Sequence, residues 1–182
     1  MEFLYNPRKA AQAAAYLVSL KGGQMDMYAL LKILYLSDRK SLSQRGRPIT
    51  GDAMVSMPYG PVLSRIYDGI KVPEEVRERN WNEYLTESGV NTLSLRRPNA
   101  PTDELSQYER GILQETLDQY QHFGFTDLKD FTHDLPEYRD PRGSSLPIDP
   151  VIILKQEGWS DEEIQDAVMS AREELFLSHI GA

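Results

Sequence analysis

The sequence predicts an α+β fold: a mostly helical single domain over residues 1–182 with a small β element near residues 49–95. Three observations lead to this prediction. Apolar residues recur at helical spacing in several segments, and one short segment alternates apolar and polar residues as strands do. The chain has 182 residues, of which 40% are hydrophobic and 26% charged, a composition typical of a globular domain. A chain of this length can bury a core without a metal or a disulfide, and it contains no cysteine.

Two helices are predicted in the first 45 residues. Alanines and leucines at helical spacing indicate a helix over residues 7–20, which Gly22 and Gly23 should end. Asp26 is a plausible N-cap for a second helix that runs to about residue 44, before Gly46 and Pro48.

The middle of the chain is less regular. Residues 49–57 indicate a short extended segment, and Pro61 is predicted to open a helix at its first turn, where its missing N–H costs nothing. Residues 90–95 alternate as a strand does. We expect this strand to pair with residues 53–57 or 81–85 and so to form a small sheet.

Helical patterns dominate the second half. Residues 105–123 form an amphipathic pattern, and a short helix over 125–132 should begin near a cap at Thr126. Asp149 and Pro150 predict another short helix that closes at Gly158. The last helix follows a capping box formed by Ser160 and Glu163.

The charge distribution limits the possible partners. The net charge of −8 argues against a general nucleic-acid binder. Residues 1–71 carry 10 Lys or Arg and 5 Asp or Glu, whereas residues 72–182 carry 10 and 23. The acidic part is either a set of solvated helix faces or a surface that attracts a basic partner.

Sequence motifs for catalysis are missing. The three histidines are not spaced as metal ligands, and the chain has no HExxH, GxSxG or phosphate-loop motif. We therefore expect no metal and no cofactor. The apolar run at residues 13–20 is too short to span a bilayer, and no basic segment precedes it as in a signal peptide, so a cytoplasmic location is expected.

His133 is the histidine with the most informative context, because it stands where a helix meets a proline loop. It has three interpretations. It closes the helix by bonding a backbone carbonyl, it contacts a partner, or it acts as a catalytic acid or base with Asp130 or Asp134.

Two further positions have open interpretations. Asp38 follows the apolar stripe of the second helix, so its carboxylate needs a donor. That donor is either an arginine or tyrosine in a buried pair, or part of a polar groove floor. Tyr59, Gly60 and Pro61 form either a plain turn or a recognition loop on a firm scaffold.

The order and spacing of three segments resemble the Panacea antitoxin domain, the family of SocA-like antitoxins. The first segment is residues 30–38 followed by 46–49, and the second is Tyr-Gly-Pro-Val at 59–62 followed by Ile-Tyr at 66–67. The third is the helix at 105–120, followed by Asp127-Leu128, by Thr132-His133 and by Pro136. The resemblance covers roughly residues 8–175. It departs after Pro136, where many relatives have an aromatic residue and this chain has a glutamate.

The resemblance implies an antitoxin of a bacterial or phage toxin–antitoxin system that neutralises a cognate protein toxin, encoded by an adjacent gene, by direct binding. It also allows an adaptor role that delivers the toxin to a protease. The missing catalytic motifs indicate that the protein is not an enzyme. The partner-binding residues carried over are Tyr35, Asp38, Tyr59, Gly60, Pro61, Thr132 and His133. The alternatives are a hydrolase or nucleotide-modifying enzyme that uses His133, and a DNA-binding autorepressor, which the acidic balance disfavours.

Overall fold

A computed structural model describes residues 1–75 and 77–180 of the chain. In these ranges helices hold 54% of the chain, which confirms the α+β, mostly helical fold class. In chain order the helices are α1 (Pro7–Leu20), α2 (Met27–Arg45), α3 (Ser64–Lys71), α4 (Arg79–Tyr84), α5 (Gln107–Tyr120), α6 (Phe125–His133), α7 (Pro150–Gln156) and α8 (Asp161–Ile180). The strands are β1 (Gln24–Asp26), β2 (Met54–Met57), β3 (Gly60–Leu63), β4 (Leu85–Gly89), β5 (Thr92–Leu95) and β6 (Leu146–Pro147).

Helix α2 lies at the centre of the core and packs against α1, α5, α6, α7 and β3. Its predicted start is confirmed, because the Asp26 carboxylate accepts a hydrogen bond from the Ala29 N–H at 2.8 Å. Its end is Gly46, which adopts the left-handed conformation (φ +68°) that favours glycine. Helix α1 has the predicted bounds, and its buried alanines leave room for close packing.

The β structure forms two three-stranded antiparallel sheets, in the orders β1-β5-β4 and β3-β2-β6. The strand expected at residues 90–95 is confirmed over Thr92–Leu95. Its expected pairing with 53–57 is wrong, and of residues 81–85 only Leu85 pairs with it, opposite Leu95. Residues 53–57 belong to the other sheet, and most of 81–85 forms α4. Residues 53–57 do not pair with β5 because β2 pairs locally with β3, through a two-residue turn at Pro58 and Tyr59.

The prediction that a helix opens at Pro61 is wrong. Pro61 lies in β3 opposite Ser56, and an edge strand tolerates a residue that has no N–H. Helix α3 begins three residues later, and a distant carboxylate caps it. Asp52 accepts hydrogen bonds from Arg65 N (3.2 Å) and Ile66 N (2.9 Å).

The helices of the second half begin near their predicted residues. Helix α6 is capped at Gly124 rather than at Thr126, because the Asp127 carboxylate accepts a hydrogen bond from the Gly124 N–H (2.9 Å). The caps at Asp149 and Ser160 are confirmed. The end of α6 packs against β3 and against Gly60, which follows the turn between β2 and β3.

Candidate functional site

The structure brings the Tyr-Gly-Pro motif and the Thr-His motif together where α2, β3 and α6 meet. Gly60 has a φ of +91°, and a Cβ atom there would lie 2.7 Å from Thr132 Oγ1 and 2.9 Å from Lys32 Nζ. The same Cβ would lie 3.1 Å from the His133 ring. Both the backbone angle and the packing therefore require glycine. We call this group, with Pro61, the hairpin junction.

Lys32 is a member of the hairpin junction that the sequence did not predict. Its side chain is buried, with 3% of the residue exposed, and its ammonium donates to the Pro61 carbonyl oxygen at 2.8 Å. No carboxylate pairs with it in the part of the chain that the structure describes. Burial lowers the pKa of Lys32 to about 7. The only signal in the sequence is a lysine inside the apolar run of residues 30–36.

His133 is the last residue of α6, and its ring stacks on Tyr138 with centroids 4.4 Å apart and planes 9° apart. Its Nε2 atom is buried and makes no hydrogen bond within residues 1–75 and 77–180. Burial and the nearby Lys32 lower the pKa of His133.

The catalytic interpretation of His133 requires a nearby carboxylate. Asp130 pairs instead with Lys129, at 3.1 Å. Among the described residues, neither Asp130 nor Asp134 forms an ion pair with His133. The hydrogen-bonded acid–base pair of the enzymatic alternative is therefore not formed among the described residues.

Tyr59 lies at the tip of the hairpin and is 65% exposed. Its ring meets Phe125 edge-on, with centroids 6.2 Å apart, and Phe125 lies 5.3 Å from Tyr28. The Lys71 ammonium lies 4.6 Å from the Tyr28 ring centroid and donates to its hydroxyl at 2.9 Å. We call Tyr28, Tyr59 and Phe125 the aromatic patch. Only Tyr59 was predicted, because the other two come from distant segments.

Tyr35 is fully buried in a separate polar cluster. Its hydroxyl donates to Glu137 Oε1 at 2.7 Å, and Arg39 Nε donates to the same oxygen at 2.7 Å. Arg39 also bonds Glu157 at 3.0 Å. Glu137, which departs from the family pattern after Pro136, is thus a buried acceptor that connects α2 to the loop after α6.

Asp38 is also buried, and its donors differ from the arginine or tyrosine expected. It accepts hydrogen bonds from Ile49 N (3.0 Å), Thr50 N (3.1 Å) and Thr50 Oγ1 (2.5 Å). Burial raises the pKa of Asp38 to about 7, although the bonds from Thr50 and Ile49 oppose the shift. Tyr35 and Asp38 do not reach the surface, so direct contact with a partner remains only a prediction for them.

No group of three Asp, Glu or His side chains within residues 1–75 and 77–180 is arranged to hold a metal ion. None of the described helices is long and apolar enough to cross a membrane.

Fold and site together define a helical α+β domain that presents an aromatic turn on a closely packed hairpin. The family model described as Antitoxin SocA-like, Panacea domain, matches residues 30–138, which is more than half of the chain. The protein belongs to this family, as the three sequence segments predicted. No curated protein and no solved structure matches the chain. The matched range contains the hairpin junction and the aromatic patch except for Tyr28, and it ends before α7 and α8.

Proposed function

We propose that this protein is an antitoxin that neutralises a protein toxin, encoded by the adjacent gene, by binding it directly through the aromatic patch. Family membership supports the role in a toxin–antitoxin system. The observation that carries the surface assignment is Tyr59, which is 65% exposed although it lies inside the family-matched range. The proposal includes a cytoplasmic location, which fractionation of cells tests.

The backbone under Tyr59 is held in place from three sides. Lys32 donates to the Pro61 carbonyl oxygen at 2.8 Å, and the Tyr138 hydroxyl donates to the Met57 carbonyl oxygen at 3.3 Å. Gly60 is packed against Thr132. A turn that is ordered before binding loses little conformational entropy when a partner docks.

The chemistry of the aromatic patch suits a protein partner. Tyrosine buries a large ring and keeps a hydroxyl for a hydrogen bond, and it is frequent among the residues that dominate interface energies. Phe125 and Tyr28 extend the apolar surface beside Tyr59. Lys71 at the edge adds a cation that is able to pair with a carboxylate of the partner.

The test is co-expression with the adjacent gene, measured as colony growth, together with calorimetric titration of the purified pair. Tyr59→Ala should weaken binding by about 2 kcal/mol, or about 30-fold in Kd, if Tyr59 is a dominant interface residue. Tyr59→Phe keeps the ring and should lose much less. Val90→Ala removes an even more exposed apolar side chain (93%) on the turn between β4 and β5, and this variant should bind as the parent does.

Thermal melts of each variant separate a loss of binding from a loss of folding. The antitoxin proposal fails if the adjacent gene product is harmless alone, or is toxic and is neither bound nor neutralised. If the parent neutralises the toxin and Tyr59→Ala does so equally well, the role of the aromatic patch is wrong and the antitoxin role stands.

A further inference from the structure

Helix α8 lies outside the family-matched range and has two contrasting faces. Its inner face carries the buried residues Ile164 and Ala171, and the partly buried Ala167 and Val168 pack against the core beside them. The Arg47–Glu174 ion pair (2.5 Å) also holds this face. The inner face therefore fixes the helix to the domain.

The outer face of α8 is apolar at its C-terminal end. Its large apolar side chains are 60–66% exposed: Met169, Phe176, Leu177 and Ile180. Residues 7 and 11 positions apart return to nearly the same side of an α-helix, so Met169, Phe176 and Ile180 form one stripe. Single exposed apolar residues are ordinary, but a stripe of them on one helix marks an interaction surface.

Charges surround this stripe and decide what it can contact. Helix α8 carries six carboxylates and one arginine, and the exposed Glu162 and Glu173 lie on the same side as the stripe. A second copy of the chain would bring two acidic helices together, and the whole chain has a net charge of −8. Like charges across an interface disfavour that pairing. A partner with lysines or arginines around an apolar groove matches both features.

We propose that α8 is a second toxin-binding element, an acidic amphipathic helix whose Met169, Phe176 and Ile180 enter an apolar groove rimmed by basic residues of the toxin. This inference rests on the proposed antitoxin function. It follows the helix-in-groove mode of recognition, in which apolar side chains on one helix face give affinity and surrounding charges give orientation.

The experiment uses the full chain and the purified product of the adjacent gene. The double variant Met169→Ser/Phe176→Ser removes two of the three side chains of the stripe, and Glu173→Lys reverses one charge. Val90→Ser, on the turn between β4 and β5, is the control at another exposed apolar residue. Calorimetry should give a Kd at least about 30-fold higher for the double variant, and an unchanged Kd for the control. Glu173→Lys should weaken binding and reduce its dependence on salt.

Circular dichroism and thermal melts must show that each variant keeps its fold. If the parent binds the toxin and the double variant binds equally well, the role of α8 is overturned and the antitoxin function stands. If Glu173→Lys has no effect, the basic rim is overturned. If the parent neither binds nor neutralises the toxin, both proposals fall. Sedimentation equilibrium that shows a parent dimer and a monomeric double variant, with equal toxin affinity, would assign the stripe to a second copy instead.

Discussion

The buried ammonium of Lys32 should make stability depend on pH in the neutral-to-alkaline range. Burial lowers the pKa of Lys32 from 10.5 to about 7 in the folded chain. Between these values the unfolded chain binds a proton that the folded chain has released, so the free energy of unfolding rises with pH. Below pH 7 the folded chain carries the full free-energy cost of burying the charged ammonium, and above pH 10.5 it carries none. At about 1.4 kcal/mol per pH unit, the full cost is up to about 5 kcal/mol.

The test compares the parent with Lys32→Met, in which an apolar chain of similar length replaces the ammonium. Urea unfolding at intervals from pH 6 to 10 gives the free energy of unfolding of each protein. The advantage of the methionine variant should be largest at pH 6–7 and should shrink by several kcal/mol towards pH 10. Loss of the hydrogen bond to the Pro61 carbonyl oxygen subtracts about 1 kcal/mol at every pH.

Groups that Lys32 does not influence titrate alike in both proteins, so their contributions cancel in the difference. His133, whose pKa Lys32 lowers, is the exception, and it contributes only at the acidic end of the range. Lys21→Met, a change at an exposed lysine after α1, serves as the control and should leave the pH profile of the parent unchanged. A constant difference between the parent and Lys32→Met from pH 6 to pH 10 would refute the reasoning, because it would mean that Lys32 keeps its proton in the folded state.

Two further comparisons test the packing at the hairpin junction and the buried carboxylate of Asp38. Gly60→Ala combines a strained φ with a Cβ 2.7 Å from Thr132 Oγ1, whereas Gly143→Ala at φ +102° meets nothing within 4 Å. The first should cost about 2 kcal/mol more in thermal melts, and equal losses would contradict the packing argument. The pKa of Asp38 is raised to about 7 in the folded chain, so this carboxyl group keeps its proton to a higher pH there than in the unfolded chain. The free energy of unfolding therefore falls as the pH rises from about 4 to about 7. Urea unfolding should show the parent losing stability relative to Asp38→Asn over that range, and parallel profiles would be inconsistent with this.

The features that the sequence predicted well are local ones. The bounds of α1, the cap at Asp26 and the capping box at Ser160 and Glu163 depend on residues within a few positions of each other. The features that it missed are long-range. One partner of β5 is β1, which lies far earlier in the chain, and the cap of α3 is Asp52, which precedes that helix by more than ten residues.

In the candidate site too, local features were predicted and long-range contacts were missed. The Tyr-Gly-Pro and Thr-His motifs were recognised, but their contact at Gly60 depends on how α6 packs on β3. Lys32 was missed because a lysine in an apolar helical run is usually placed at the surface, with its charged end in water. Tyr28 and Phe125 join Tyr59 only in the folded chain, since they belong to α2 and α6.

Tyr35 illustrates how a buried residue of the family motif connects to the surface turn. Its hydroxyl and Arg39 hold Glu137, which is the residue before Tyr138. Tyr138 in turn stacks on His133 and donates to the Met57 carbonyl oxygen at the start of the turn. The family-matched residues of α2 therefore fix the two-residue turn from both ends, through Lys32 at Pro61 and through Glu137 and Tyr138 at Met57. Under the proposed function, Tyr35 acts by positioning Tyr59 and not by touching the toxin, which reconciles its complete burial with a place in partner binding.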